Sequence, residues 1–299
     1  MRSLPRAFRT DAQTSAVKPT GTFATTLSRL WRNPTASFGA ALLVLLAGSA
    51  VLAPLLALHD PLALVPAERL RAPSHAHLFG TDMLGRDLYA RVLHGGRLSL
   101  TVGILTAVIC SLIGLAIGLV AGFSRLADAL IMRVMDGIMA IPGILLAIAL
   151  ATIVGGGVST IVLAIAVPEI PVVVRVVRGV VLTLREQTYV EAARSLGTRP
   201  GRILIRHILP NSLAPLVVQA TYICGLAILI EAYLSFLGAG IPPEFPSWGN
   251  IMAEGRGFVL IAEWIILIPG AFVAATVLAL NLLGDALRDM LDPRTRRTL

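Results

Sequence analysis

The side chains able to do chemistry in this 299-residue sequence fall in three places. The first is a polar stretch, Tyr189-Val190-Glu191-Ala192-Ala193-Arg194-Ser195-Leu196-Gly197, which runs on to His207-Ile208-Leu209-Pro210-Asn211. Glu191 and Arg194 stand i,i+3, a spacing that lets opposite charges meet on one helix face. Ala192 and Ala193 keep that helix slim, so another backbone can approach closely. Gly197 supplies a turn that a residue with a Cβ resists. A second short amphipathic segment follows, with Ile203, Leu204 and Ile208 on one side and Arg199, Arg202 and Arg206 on another. Pro210 suits a helix entry, where its missing N–H costs little. By residue type alone, this helix–Gly–helix fits a docking surface or an ordinary capped, solvated loop.

The second place is inside the apolar runs, where Glu169, Glu231 and Asn281 stand. Ionisable groups at membrane depth are costly and face a cavity or a partner. These three are candidates to line a solute path, the alternative being helix ends or a subunit interface. The third is a histidine group, His59, His75, His77 and His94. The His75/His77 pair has metal-ligand types, but no third ligand stands at clear spacing, so no metal site is assigned. Nothing matches the G-x-x-x-x-G-K-[ST] phosphate loop. The one lysine, Lys18, lies in the polar N-terminal tail. With no nucleophile elbow and no H-E-x-x-H pair either, the sequence carries no catalytic residues and no cofactor site, and is not read as an enzyme.

The elements that position these groups are apolar. Hydrophobic residues make up 56% of the chain and charged ones 14%, and the mean hydropathy is +0.82. A soluble domain of this length needs more charge to cover its surface. Several runs approach or exceed the roughly 18–20 residues that cross a bilayer. The fold class expected is an all-α polytopic membrane protein with six transmembrane helices, near 38–57, 99–121, 136–153, 158–175, 213–237 and 262–284. An aromatic content of 5%, without repeated ten-residue dyads, argues against a β-barrel. Gly155-Gly156-Gly157 is read as a tight reversal between spans three and four. Cys110 and Cys224 sit in apolar runs, form no CxxC pair and read as packing residues.

With the N-terminus inside, the expected outer segments hold only Arg69, Arg71, Arg86, Arg91, Arg97 and Arg256 of the 25 Lys and Arg. The positive-inside rule then places both termini in the cytoplasm. The net charge of +8 is read as topology, not as nucleic-acid binding. Residues 1–35 are polar and basic, unlike a cleaved signal peptide, whose apolar region comes earlier. The organisation expected is a cytoplasmic tail over 1–37, a first span and extracytoplasmic loop with an interfacial helix over 38–98, and a five-span core over 99–299 with a loop at 186–211 and a cytoplasmic tail. In the first loop, Leu84, Leu88 and Val92 recur at i, i+4, i+8, with Arg86 and Asp87 on another face, which predicts a helix lying at the membrane surface.

The loop pattern resembles the EAA loop of importer permeases of the ABC superfamily: Glu191-Ala192-Ala193, then Gly197, then Leu209-Pro210. His207, where the general pattern has isoleucine, looks like the peptide-importer branch. Other stretches resemble the C-type permease of the peptide-transport group. These are Gly80-Thr81-Asp82 with Gly85-Arg86-Asp87, Met132 to Asp136 ending at Pro142, Leu234 to Gly238 followed by Trp248-Gly249, and Gly284 to Asp289 with Leu291-Asp292-Pro293. The resemblance covers about residues 36–295. It implies the type I ABC importer permease fold, in a bacterial inner membrane, with a cytoplasmic coupling helix that docks on an ATPase subunit. Glu191, Ala192, Ala193, Ser195, Gly197, Arg199, Arg202 and Arg206 would then couple to that ATPase. It further implies a homologous second permease, two ATPase subunits or domains that hold ATP and Mg, an extracytoplasmic solute-binding protein and membrane lipid as surroundings. The solute would be a di- or oligopeptide, with glutathione or nickel as alternatives and a secondary transporter as the rival mechanism.

Overall fold

The structure, a computed structural model, describes residues 33–291. The tail residues 1–32, including Lys18, and the stretch 292–299 with Asp292 and Pro293 lie outside the described residues. The first helix, α1 (Pro34–Val51), starts where the Asn33 side chain accepts the Thr35 N–H at 3.1 Å and Pro34 presets the first turn. One further turn, α2 (Ala53–Leu56), follows a break just before Pro54. After a loop comes α3 (Leu88–Phe123), 36 residues long, with Asp87 as its cap accepting the Ala90 N–H at 2.9 Å.

Next come α4 (Arg125–Met139) and α5 (Gly143–Val154), bent by 83°. Pro142 explains the bend: its ring disfavours helical geometry at the residue before it. Gly155 and Gly157, at φ of +93° and +147°, reverse the chain into α6 (Val158–Arg185). The loop helix α7 (Thr188–Ser195) leads to α8 (Pro200–Ile203), a π-turn over Leu204–Ile208, and α9 (Leu209–Phe236). Finally, α10 (Trp248–Gly255) is a short helix before α11 (Trp264–Leu291).

Among the described residues, five helical stretches are long and apolar enough to cross a membrane, and the bent α4–α5 pair, taken as one span, brings the number to six. The six expected spans are therefore present, and the described residues hold only helices, turns and one isolated bridge between Thr81 and Asp87. Several boundaries move. The second span begins at Leu88, well before the expected residue 99. The third is two helices that start at Arg125 and not one straight segment from 136, and the fourth runs on to Arg185, past the expected 175.

The tightest seam joins α3 to α6. Gly114, Gly118 and Gly122 recur every four residues on α3 and face Val173, Val177 and Val181. A Cβ on these glycines would lie 2.5, 2.7 and 2.6 Å from the valine Cβ atoms, closer than real side chains pack. Small residues at this spacing let two helices approach closely where water supplies no driving force between them. This pair forms the frame from which α7 and the first loop are displayed at opposite ends.

Residues 81–87 do not form the expected surface helix. Gly80 and Gly85 adopt φ of +80° and +75°, and a Cβ on Gly85 would sit 1.9 Å from the Val65 carbonyl oxygen. The Asp82 side chain accepts the N–H groups of Leu84 at 2.8 Å and Arg86 at 3.0 Å, which closes a turn instead of a helix. Leu88 and Val92 are fully buried within α3 and Leu84 is exposed, so the three leucine and valine positions share no face.

Candidate functional site

The predicted loop helix forms almost where the sequence places it, as α7 (Thr188–Ser195). Its inner side is fixed: Val190, Ile203 and Ile208 are fully buried and join the main core with Ala193 and Leu204 beside them. Gly197 takes φ +75°, and its N–H donates to the Arg194 carbonyl while Thr198 N–H reaches back to Ala193. This is the Schellman motif, with glycine in the left-handed position, that ends a helix cleanly. A Cβ at Gly197 would meet nothing within 4 Å, so backbone conformation, not space, demands the glycine.

The outer side is unpaired. Glu191, Ala192, Arg194, Ser195, Arg199, Arg202 and Arg206 are exposed. None of these charged groups makes an ion pair with a described residue, so the expected Glu191–Arg194 pair does not form. Between the arginines stand two apolar side chains, Leu196 at 85% exposure and Ile205 at 66%. The His207 ring lies 6.1 Å from that of Tyr189 and ties the two halves of the loop. A surface with cations, a carboxylate and exposed leucine and isoleucine, mounted on a buried face, has the composition of a docking patch.

The opposite end of the bundle treats its charges differently. Asp82 accepts from Arg86 Nε at 2.6 Å and from Arg91. Glu254 on α10 accepts from Arg91 at 2.6 and 3.1 Å and from Arg86. Arg91 is 0% exposed, so this four-residue network clamps the first loop, the head of α3 and α10 together away from water. Trp264 adds α11 to the block through a 3.2 Å hydrogen bond from Nε1 to the Thr81 carbonyl. Beside it, His77 places Nδ1 2.8 Å from Asp87 and Nε2 3.0 Å from Glu68. Burial works against the His77 cation, but the two carboxylates outweigh it and hold its pKa above the ordinary value.

The three polar residues of the spans separate. Glu231 is fully buried and accepts from Ser99 at 2.8 Å and Ser235 at 2.9 Å, and Ser99 in turn accepts the Trp248 N–H at 3.4 Å. It joins α3, α9 and α10. Glu169 sits between Pro168 and Pro171 on α6, half-buried, with no hydrogen bond or ion pair to a described residue. Asn281 is exposed and lines a polar cleft of about 170 Å³ between α9 and α11 with Gln219, Tyr222, Asp285 and Arg288. The Arg86–Asp82–Arg91–Glu254 network was not readable as a unit, because Glu254 lies more than 160 residues from its partners.

An all-α bundle of membrane-spanning helices, with an exposed basic loop at one end and a buried charge network at the other, is the fold of a polytopic membrane permease. The chain belongs to the family of binding-protein-dependent transport system inner membrane components, whose pattern matches residues 96–297. Residues 22–73 match the N-terminal transmembrane domain of oligopeptide transport permease C. The chain is 52% identical over 266 residues, 89% of its length and 91% of the relative, to a probable peptide ABC transporter permease of Sinorhizobium fredii. It is 44% identical over 248 residues to a dipeptide transport system permease of Alkalihalophilus pseudofirmus, covering 83% and 82% of the two chains. A glutathione transport system permease of Pectobacterium atrosepticum is 46% identical over 225 residues, 75% of each chain. The family is one of transport permeases, not enzymes.

Proposed function

We propose that this permease forms half of the pathway of an ATP-driven, binding-protein-dependent importer of di- or oligopeptides. A second, homologous permease completes the pathway. Two ATPase subunits or domains bind and hydrolyse ATP with Mg, and an extracytoplasmic solute-binding protein delivers the peptide. Both termini and α7 lie on the cytoplasmic side, in keeping with the distribution of arginine, and α10 with the first loop lies outside. The peptide substrate rests on the relatives named as peptide and dipeptide permeases, and glutathione, named for another relative, is the second solute to test.

The observation that carries the coupling role is the two-sidedness of the 188–208 loop: buried inside by Val190, Ile203 and Ile208, open outside through Leu196, Ile205 and four unpaired arginines. A partner that binds the open side moves the closed side with it. The loop lies between α6 and α9, so that movement reaches two spans at once. Within the membrane, Glu169 and the Asn281 cleft are the groups left for a second permease or a solute, whereas Glu231 serves by holding three helices in register.

In proteoliposomes containing the whole complex and its binding protein, Gly197→Val and Glu191→Lys are expected to uncouple ATP hydrolysis from peptide uptake. Transport should fall at least tenfold while membrane insertion and ATPase activity persist. Unchanged peptide uptake in both variants would overturn the coupling role. A thermal-shift panel of dipeptides, longer peptides, glutathione and nickel on the binding protein fixes the solute. A ligand at a hundred times its Kd adds about 2.7 kcal/mol of stability.

A further inference from the structure

The first loop gathers more ligand-type side chains than the His75/His77 spacing indicated. His75 is exposed and stands apart. His59, which follows α2, comes instead to His77, with the two ring centroids 5.1 Å apart. Asp87 completes the group: its Oδ1 lies 2.8 Å from His77 Nδ1 and 3.9 Å from His59 Nδ1. One ligand atom from each of the three falls within 4.8 Å of the other two.

We propose that His59, His77 and Asp87 bind a zinc-class divalent cation, with Glu68 holding His77 from behind. Ligand atoms arranged tetrahedrally at zinc–nitrogen and zinc–oxygen lengths stand about 3.3 Å apart. The present separations lie on both sides of that value, so side-chain shifts of about an ångström form the site. The donor set, two imidazoles and one carboxylate, suits zinc better than the hard, all-oxygen cations. A water completes the fourth position.

The surroundings are those of a built site. Glu68 lies 3.0 Å from His77 Nε2, where it holds that nitrogen's proton and orients the ring with Nδ1 towards Asp87 and His59. Glu68 is itself held by Arg71 at 3.2 Å, and its carbonyl accepts from the Thr81 hydroxyl. The second oxygen of Asp87 stays on the Ala90 N–H, so the cap of α3 survives metal binding. Two carboxylates surround one imidazole here, a negative balance that favours a bound cation. His77 and Asp87 are buried, and His59, 46% exposed at its side chain, stands at the entrance. The cation would staple the end of the first span to the head of α3.

The test uses the intact importer complex in nanodiscs, purified through a tag without histidine and dialysed against buffered Zn²⁺, with zinc counted by mass spectrometry. Wild type should hold one zinc more per permease than His59→Gln, and His75→Gln should match wild type. Glu68→Gln should weaken the site by about tenfold, the usual effect of removing an outer-shell partner. Equal zinc in wild type and His59→Gln overturns the proposal, as does a loss of zinc in His75→Gln equal to that in His59→Gln. Titration of the wild type with Co²⁺ gives a readout free of any folding defect. Visible absorption of a tetrahedral site, quenched by Zn²⁺, supports it, and its absence overturns it.

Discussion

The two ends of the bundle put the same residue types to opposite uses. Along the 188–208 loop the arginines and Glu191 are exposed and make no ion pair with a described residue, and exposed leucine and isoleucine stand between them. At the first loop and α10, Arg86 and Arg91 are buried against Asp82 and Glu254, each carboxylate bridging both arginines. Burying charge costs several kcal/mol per ion before pairing repays it, so a network of this kind persists only where every member is placed. An exposed charge costs nothing to leave unpaired and stays available. An arginine's meaning in this chain is therefore set by what shields it: one end is given over to internal geometry, the other leaves its charges open to the surroundings.

Breaking the buried network is expected to have the largest effect. Arg91→Ala leaves the buried Asp82 and Glu254 to share Arg86 alone and should destabilise the protein by about 3–5 kcal/mol. Fluorescence-detected size-exclusion after heating would show this as a large loss of folded protein. Glu254→Gln keeps the shape and removes one charge, for a smaller loss of about 1–3 kcal/mol. If both variants melt like wild type, the contrast between the ends fails. Arg202→Glu, on the open surface, should shift stability by no more than about 0.5 kcal/mol, yet reduce peptide-dependent ATPase activity in the assembled complex. A large loss of stability in that variant would mean that the loop, like the cap, spends its charges on holding the fold.

Much of this was legible from local pattern. The six apolar runs, the glycine reversal at 155–157 and α7 with its Gly197 stop all depend on neighbours within a few residues, and sequence exposes such signals directly. The region 81–87 departs from expectation because a helical spacing of Leu84, Leu88 and Val92 spans two different structures, a turn closed by Asp82 and the start of α3. Gly80 and Gly85, both at positive φ, are the local sign of that turn. The split of the third span is signalled by Pro142. Gly114, Gly118 and Gly122 carry a small-residue period that marks a close helix seam, and that period stands openly in the sequence. Three things depend on distant partners and had no local trace: the reach of Glu254 to Arg91, the closure of Ser99 on Glu231, and the approach of His59 to His77.

The π-turn at Leu204–Ile208 makes one continuous rod of α8 and α9, 37 residues from Pro200 to Phe236, or about 55 Å at helical rise. Near its far end, Glu231 accepts from Ser99 of α3, which in turn accepts the Trp248 N–H of α10, while its near end carries Arg202 and Arg206 on the open surface. A push on the open surface, as the coupling role proposed above requires, would enter this rod at its near end, and the packing of the rod on α3 and α11 would carry it into the bundle towards the Glu231 contact.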